Sequence, residues 1–283
     1  MSTAANHSTT IREVKTAEEL RAVERLQVEV WGIPDLDVVP LYHLVAAQAS
    51  GGVLLGAFDR DEMVGFVYGF VGLERGRTVH HSHMLAVRQE YRSQKLGFRL
   101  KAEQRRFVMD QGIDTMTWTF DPLRSLNASF NFGKLGVIAD QYYPDFYGSE
   151  AASFLHRNGT DRLWVTWHLS SSKVIEKLEG RSVATEISSL PVLVAVCETG
   201  APIVRDLKAA LRSPQFVIEI PSDIGLIEAE NLETARNWRT TTRTAFTAAL
   251  DAGYVIADFA VSNGSGRNVG SYILSKDESL KIW

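Results

Sequence analysis

The spacing of apolar residues divides the chain into alternating strands and helices. A short strand at residues 11–15 leads into Thr16 and Glu19, a capping box in which hydroxyl and carboxylate satisfy first-turn N–H groups. The helix that follows should bury Leu20, Val23, Leu26 or Gln27, and Val30, and stop near Gly32 and Pro34. A second helical stretch covers 40–49. Strands at 53–58 and 63–73, joined by the polar turn 59–62, predict an antiparallel pair, with a strand at 80–87 as the next neighbour. Residues 97–111 then read as an amphipathic helix: Leu96, Leu100, Phe107 and Val108 recur at helical spacing with charges between, and Gly112 is a C-cap.

A strand at 115–121 sets its threonines on one face and Met116, Trp118 and Phe120 on the other. A helix should follow, with Asn127 and Asn131 one turn apart on one face and Lys134, Leu135 and Gly136 closing it. Strands at 137–146 and 162–169 complete this half, the former carrying Tyr142, Tyr143 and Tyr147. Residues 171–189 are polar and read as a linker or a surface helix. From 190 a smaller α/β unit begins, with strand 191–198, helix 203–211, strand 215–221, a long helix 231–252 and a terminal hairpin. The long helix buries Leu232, Ala235, Trp238, Thr242, Ala245, Phe246 and Ala249, leaving Arg236, Arg239 and Arg243 as a polar stripe that is either solvated beside Glu233 or turned to a substrate carboxylate. The glycines at 264, 266 and 270 open no helix, so they mark a hairpin turn and not a nucleotide loop. The expected class is α/β (α+β): a tail at 1–10, a mixed-sheet domain at 11–170, a linker at 171–189 and a smaller α/β domain at 190–283.

Length and charge narrow the function. The 283 residues allow one large or two modest domains, and with a net charge of −4 nothing global argues for nucleic acid or an anionic membrane as partner. The lone Cys197 rules out an internal disulfide framework. No signal peptide and no bilayer-length apolar run is apparent, so a cytoplasmic location is expected.

The chemistry concentrates at 80–111. A strand runs into the basic turn 88–95 and straight into a helix start, where exposed N–H groups and the positive end of the helix dipole make an anion site to which Arg92 and Lys95 add charge. The turn from Arg92 to Gly97, after a strand ending Leu85-Ala86-Val87, resembles motif A of the GNAT (GCN5-related N-acetyltransferase) superfamily, whose turn holds the pyrophosphate of coenzyme A. Arg92 and Gly97 match that pattern; Lys95 stands where a glycine is usual. The segment from Asn127 to Gly136 resembles the family's short helix beside the pantetheine arm. The element order over 11–170 is also that of the GNAT fold, a mixed central sheet flanked by helices.

The resemblance implies an acyl-CoA-dependent N-acyltransferase with a small-molecule amine as acceptor, an amino acid being one candidate, and acetyl-CoA or another acyl-CoA such as succinyl-CoA as co-substrate. It places Leu85, Val87, Arg92, Gln94, Lys95, Leu96, Gly97, Phe98, Asn127 and Phe132 at the cofactor and Trp118, Asp121, Tyr142 and Tyr143 near the acceptor. No metal, nucleic acid or membrane is implied; the second domain would wall the acceptor site or form a homodimer. An amine must lose its proton before attack, and a histidine near neutrality suits that task. His81 stands where many family members carry the base, with His83 as understudy and the Leu85 N–H as the donor that polarises the acyl carbonyl. Alternation puts His81, His83, Leu85 and Val87 on one face unless a bulge intervenes. The same histidines also read as a satisfied polar strand edge or, less well at this spacing, a metal site. Phe132 replaces the tyrosine that many family members use as general acid, and Tyr142 or Tyr143 is either its substitute or packing. Asp121 would orient a histidine, bind the acceptor's ammonium, or cap the turn before Pro122. With Lys95 and Phe132 both departing from the pattern, the rival is a regulatory protein that binds acyl-CoA without turning it over.

Overall fold

The computed structural model describes residues 9–148, 158–183, 185–264, 267–277 and 279. The chain forms two compact units, 1–117 and 118–283.

In the first unit the strands β1 (Thr9–Glu13), β2 (Val53–Asp59), β3 (Glu62–Glu74) and β4 (Arg77–Val87) pair in that order, each antiparallel to the next. β4 then runs parallel to β5 (Thr115–Phe120), in register at His80↔Met116 and His81↔Thr117. The first helix, α1 (Ala17–Trp31), has the expected box: Thr16 Oγ1 accepts from the Glu19 N–H at 3.2 Å and Glu19 Oε2 from the Thr16 N–H at 3.2 Å. A hydrogen bond from Arg12 does most to hold the Glu19 carboxyl down at about 2. Gly32 ends the helix at φ 62°, a conformation open to glycine without strain. Leu26 and Gln27 are both buried. Gln27 tolerates it because its amide pairs with Val39 through both the N–H, at 2.8 Å, and the carbonyl, at 3.1 Å.

α1 and α2 (Leu41–Ala49) cover one sheet face over Leu54, Phe58, Phe66, Tyr68 and Ala86. The third helix, α3 (Leu96–Asp110), packs on the other face. Its buried stripe is Leu96, Leu100, Lys101, Gln104 and Val108, so two polar residues lie where the sequence suggested solvent.

The second unit begins within β5. There α4 (Ser125–Ala128) passes into a π-helical turn, Ser129–Leu135, closed by Gly136 in the left-handed region. β6 (Ile138–Tyr143), β7 (Arg162–His168) and α5 (Ser172–Leu178) follow, the last lying inside the expected linker. Then come β8 (Val192–Val196), β9 (Pro202–Val204), α6 (Leu207–Ala210), β10 (Gln215–Pro221), α7 (Ile224–Glu230), α8 (Leu232–Asp251), β11 (Val255–Gly264) and β12 (Arg267–Ser275). The strand order is β7-β6-β11-β12-β10-β8-β9, mixed because β8 and β10 are parallel. β11 and β12 form the expected hairpin, while residues 265–266 of its turn lie outside the described residues. One expected element differs: 203–211 is not a helix throughout. Pro202–Val204 pairs antiparallel with β8, and only Leu207–Ala210 is helical, started by the Asp206 carboxylate. Pro202 has no N–H to donate and fits such a short strand. Among the described residues no helix is long and apolar enough to cross a membrane.

Candidate active site

The turn after β4 has the geometry that its sequence suggests. Gln89–Gln94 is a tight 3-10 turn, and Lys95 joins it to α3 at φ 56° and ψ 22°. Left-handed backbone costs an L-residue about 1–2 kcal/mol, which explains why glycine suits this position and why lysine here is strained. No side chain caps α3, so the first-turn N–H groups at Leu96, Gly97 and Phe98 are left for an outside acceptor. Leu96 is fully buried, whereas Gly97 and Phe98 are half-buried. Gly97 lies over β4, where an added Cβ would sit 3.8 Å from Leu85 Cδ2. Arg92 Nε donates to the Val87 carbonyl at 3.1 Å, tying the bend to the strand end. Gln94 is half-buried, and Lys95 is exposed.

On β4 the expected alternation fails. Tyr68 pairs with Met84 and Gly69 with Ser82, so His83 is the extra residue of a bulge. His81 and His83 therefore lie with Tyr68 and Phe70, while Leu85 meets the α3 side at Gly97. The His81 ring is 5.4 Å from that of Phe70 and 6.3 Å from that of His83. Its Nδ1 is 3.2 Å from Thr117 Oγ1. Burial, then the charges of His83 and Lys101, lowers its pKa to about 4, so it is a neutral imidazole at pH 7. His83 is exposed at its outer edge; desolvation against its neighbours, then His43, lowers its pKa as well. Sequence reasoning missed two partners of this cluster, His43 and Tyr68, whose Nε2 and hydroxyl are 3.0 Å apart. Burial raises the Tyr68 hydroxyl to about 12.

Behind the strand lies a second polar group that the sequence did not announce. Lys101 Nζ donates to Ser82 Oγ at 2.9 Å, Ser82 Oγ donates to Gln104 Oε1 at 2.9 Å, and Gln104 Nε2 is 3.3 Å from His80 Nε2. Burial pushes the Lys101 ammonium well below its usual range. Burial, then Lys101 and His81, brings His80 to about 3. Among the described residues no group of three or more His, Cys, Asp or Glu is placed to hold a metal ion.

Residues 16–132 match the model of the acetyltransferase (GNAT) family. This stretch is a GNAT acetyltransferase domain. Among solved structures, the ribosomal-protein-S18-alanine N-acetyltransferase from Escherichia coli is similar at 15% identity, over 58% of this chain and 96% of that one, with a TM-score of 0.47. A putative GNAT-family acetyltransferase from Desulfovibrio desulfuricans shares 18% identity over 58% of this chain and 100% of its own, also at 0.47. An aminoglycoside 6'-acetyltransferase type Ii shares 20% identity over 57% and 98%, at 0.46. No curated protein sequence matches the chain.

In the second unit, the residues that the GNAT resemblance picked out go mostly to packing and ion pairs. Asn127 is exposed whereas Asn131 is buried, with its Oδ1 accepting from Trp118 Nε1 at 3.2 Å. The π turn that begins at Ser129 changes the phase, so residues four apart no longer share a face. Phe132 has no exposed surface and packs edge-on against Phe120 and Tyr272, as a core ring. Asp121, expected to orient a histidine, bind the acceptor's ammonium or cap the turn before Pro122, accepts from the Leu123 N–H within that turn and is gripped by Arg239 through two 2.7 Å bonds. Burial pushes its carboxyl up and Arg239 more than reverses that, leaving it below the usual range. Arg239 is thus buried, not solvated; Arg243 pairs with Asp161 at 2.6 Å and Asp145 at 3.0 Å, and Arg236 alone of the stripe is exposed. Tyr142 donates to Asp161 Oδ2 at 2.5 Å and stacks on Phe246; burial, then Asp161, raises its hydroxyl well above the phenol range. Tyr143 donates to Gln141 and packs on Trp164.

Proposed function

We propose that the chain is an acyl-CoA-dependent N-acyltransferase that moves an acetyl or succinyl-type group to the amine of a small molecule, with 11–170 as the catalytic domain. The observation that carries this is the left-handed Lys95 bend opening onto the uncapped start of α3. The Leu96, Gly97 and Phe98 amides would hold the diphosphate of the carrier, with Arg92 and Lys95 adding positive charge. Leu85 N–H is the proposed donor to the acyl oxygen, an interaction worth roughly 3 kcal/mol in enzymes of this chemistry.

His81 is the proposed proton acceptor. The amine nitrogen bonds to the acyl carbon, the carbon–sulfur bond breaks, His81 takes the proton from nitrogen, and the thiolate leaves to be protonated by solvent. An amine of reference pKa about 8 to 10.4 must give up about 1.4 to 4.6 kcal/mol to be neutral at pH 7. A thiol of pKa about 8.5 leaves without an acid, which accommodates the buried Phe132.

The test is isothermal titration with acetyl-CoA and succinyl-CoA, followed by thiol release across a panel of amines. Saturable binding and amine-dependent release are expected; absence of binding overturns the reading. Binding with no release from any amine favours the regulatory alternative, which the engaged Tyr142 hydroxyl and buried Phe132 support.

A further inference from the structure

In the first unit a cavity of about 560 Å³ opens between α1, the end of β1 and the turn that joins β2 to β3. That volume lies within the about 300–1,000 Å³ usual for small-molecule sites. Its floor is apolar, from Ala22, Leu26, Phe58 and Met63, and its walls carry charge of both signs. Most of that charge is engaged. Arg12 pairs with Glu19 at 2.8 Å and lies 3.8 Å over the Phe58 ring, while Arg88 pairs with Glu62 and, at 2.8 Å, with Glu29. Three charged lining side chains remain: Glu18 and Arg25 on α1, and Asp61 in the turn. All three are exposed, and among the described residues none of these side chains has an ion pair or hydrogen bond.

One uncommitted cation thus stands with two uncommitted anions, a surplus of one negative charge. A simple anion would be repelled by that surplus, and a purely apolar molecule would leave all three charges unanswered. A molecule with one carboxylate, two ammonium groups and a short methylene chain answers all three and lays its chain on the apolar floor. Glu18 and Arg25 are two turns apart on α1, about 10 Å along its axis, which suits a ligand charged at both ends of such a chain. We propose that this cavity binds a basic α-amino acid of the lysine or ornithine type, with its carboxylate at Arg25 and its ammonium groups at Glu18 and Asp61. None of the lining residues is among those proposed for acyl-CoA or for acyl transfer, so this site is independent of that reading.

The experiment is isothermal titration of the whole chain with L-lysine, L-norleucine and 1,5-diaminopentane at low salt. Norleucine lacks the side-chain ammonium and the diamine lacks the carboxylate. Lysine is expected to bind saturably and at least tenfold more tightly than either, and more weakly as salt rises. Arg25→Met and Asp61→Asn should each weaken lysine binding at least fivefold with the urea midpoint unchanged, since both side chains are exposed. No saturable lysine binding, equal binding of norleucine or of the diamine, or undiminished affinity in either variant overturns the proposal and leaves the transferase reading standing.

Discussion

Arg239 and Asp121 make the sharpest stability forecast in the second unit. Their side chains are 6% and 10% exposed and meet through two 2.7 Å bonds. At about 4 Å and an effective dielectric near 20 the Coulomb attraction is about 4 kcal/mol, and desolvation of both ions cancels much of it. Deleting one partner leaves the other buried and unbalanced, for which about 3–5 kcal/mol is usual. The low end applies here, since Asp161 still acts on Arg239, and Asp121 keeps the Leu123 N–H. Arg239→Met and Asp121→Asn should therefore each lower stability by about 3 kcal/mol. The double variant Asp121→Asn with Arg239→Met should recover most of that loss, because it buries no lone charge. Urea denaturation of the four proteins, followed by near-ultraviolet circular dichroism, gives the cycle. Single losses below about 1 kcal/mol, or additive losses in the double variant, would refute a desolvated pair. Asp121→Asn should also leave the amine KM within about twofold, in contrast to a role for Asp121 at the acceptor's ammonium.

Three other outcomes follow from the first unit. His81→Ala should cut kcat by about 100-fold with acetyl-CoA affinity intact, measured by thiol release and titration; normal turnover would remove His81 as base. Burial lowers the Lys101 pKa below its unfolded value, so between the two values only the unfolded chain binds that proton and stability rises with pH. Lys101→Met should then be more stable at pH 7 and lose the rise in urea midpoint between pH 7 and 9; an unchanged rise contradicts a lysine whose pKa burial lowers. Lys95→Val, with a β-branched residue in the left-handed region, should be less stable than Lys95→Gly by at least about 1 kcal/mol, and equal midpoints would argue against the bend.

What could be read from the sequence was local. The Thr16–Glu19 box, the Gly32 stop, the first hairpin and the β4–bend–α3 passage each depend on residues a few positions apart, and all are present. Alternation could not reveal the His83 bulge, because one extra residue inverts every later side chain and leaves no mark in composition. The π turn hid the divergence of Asn127 and Asn131 in the same way. Arg239 and Arg243 looked solvated because their partners Asp121 and Asp161 lie 118 and 82 residues away. Lys101, Gln104, Ser82 and His80 were hidden likewise, as polar residues that satisfy one another where water was expected.

The account stands on the bend at Lys95, and a crystal of the chain soaked with an acetyl-CoA analogue that cannot transfer its acyl group tests it most directly. Diphosphate oxygens should appear about 3 Å from the Leu96, Gly97 and Phe98 nitrogens. A bend left empty, or covered by the Lys95 side chain while the analogue binds elsewhere, would contradict it.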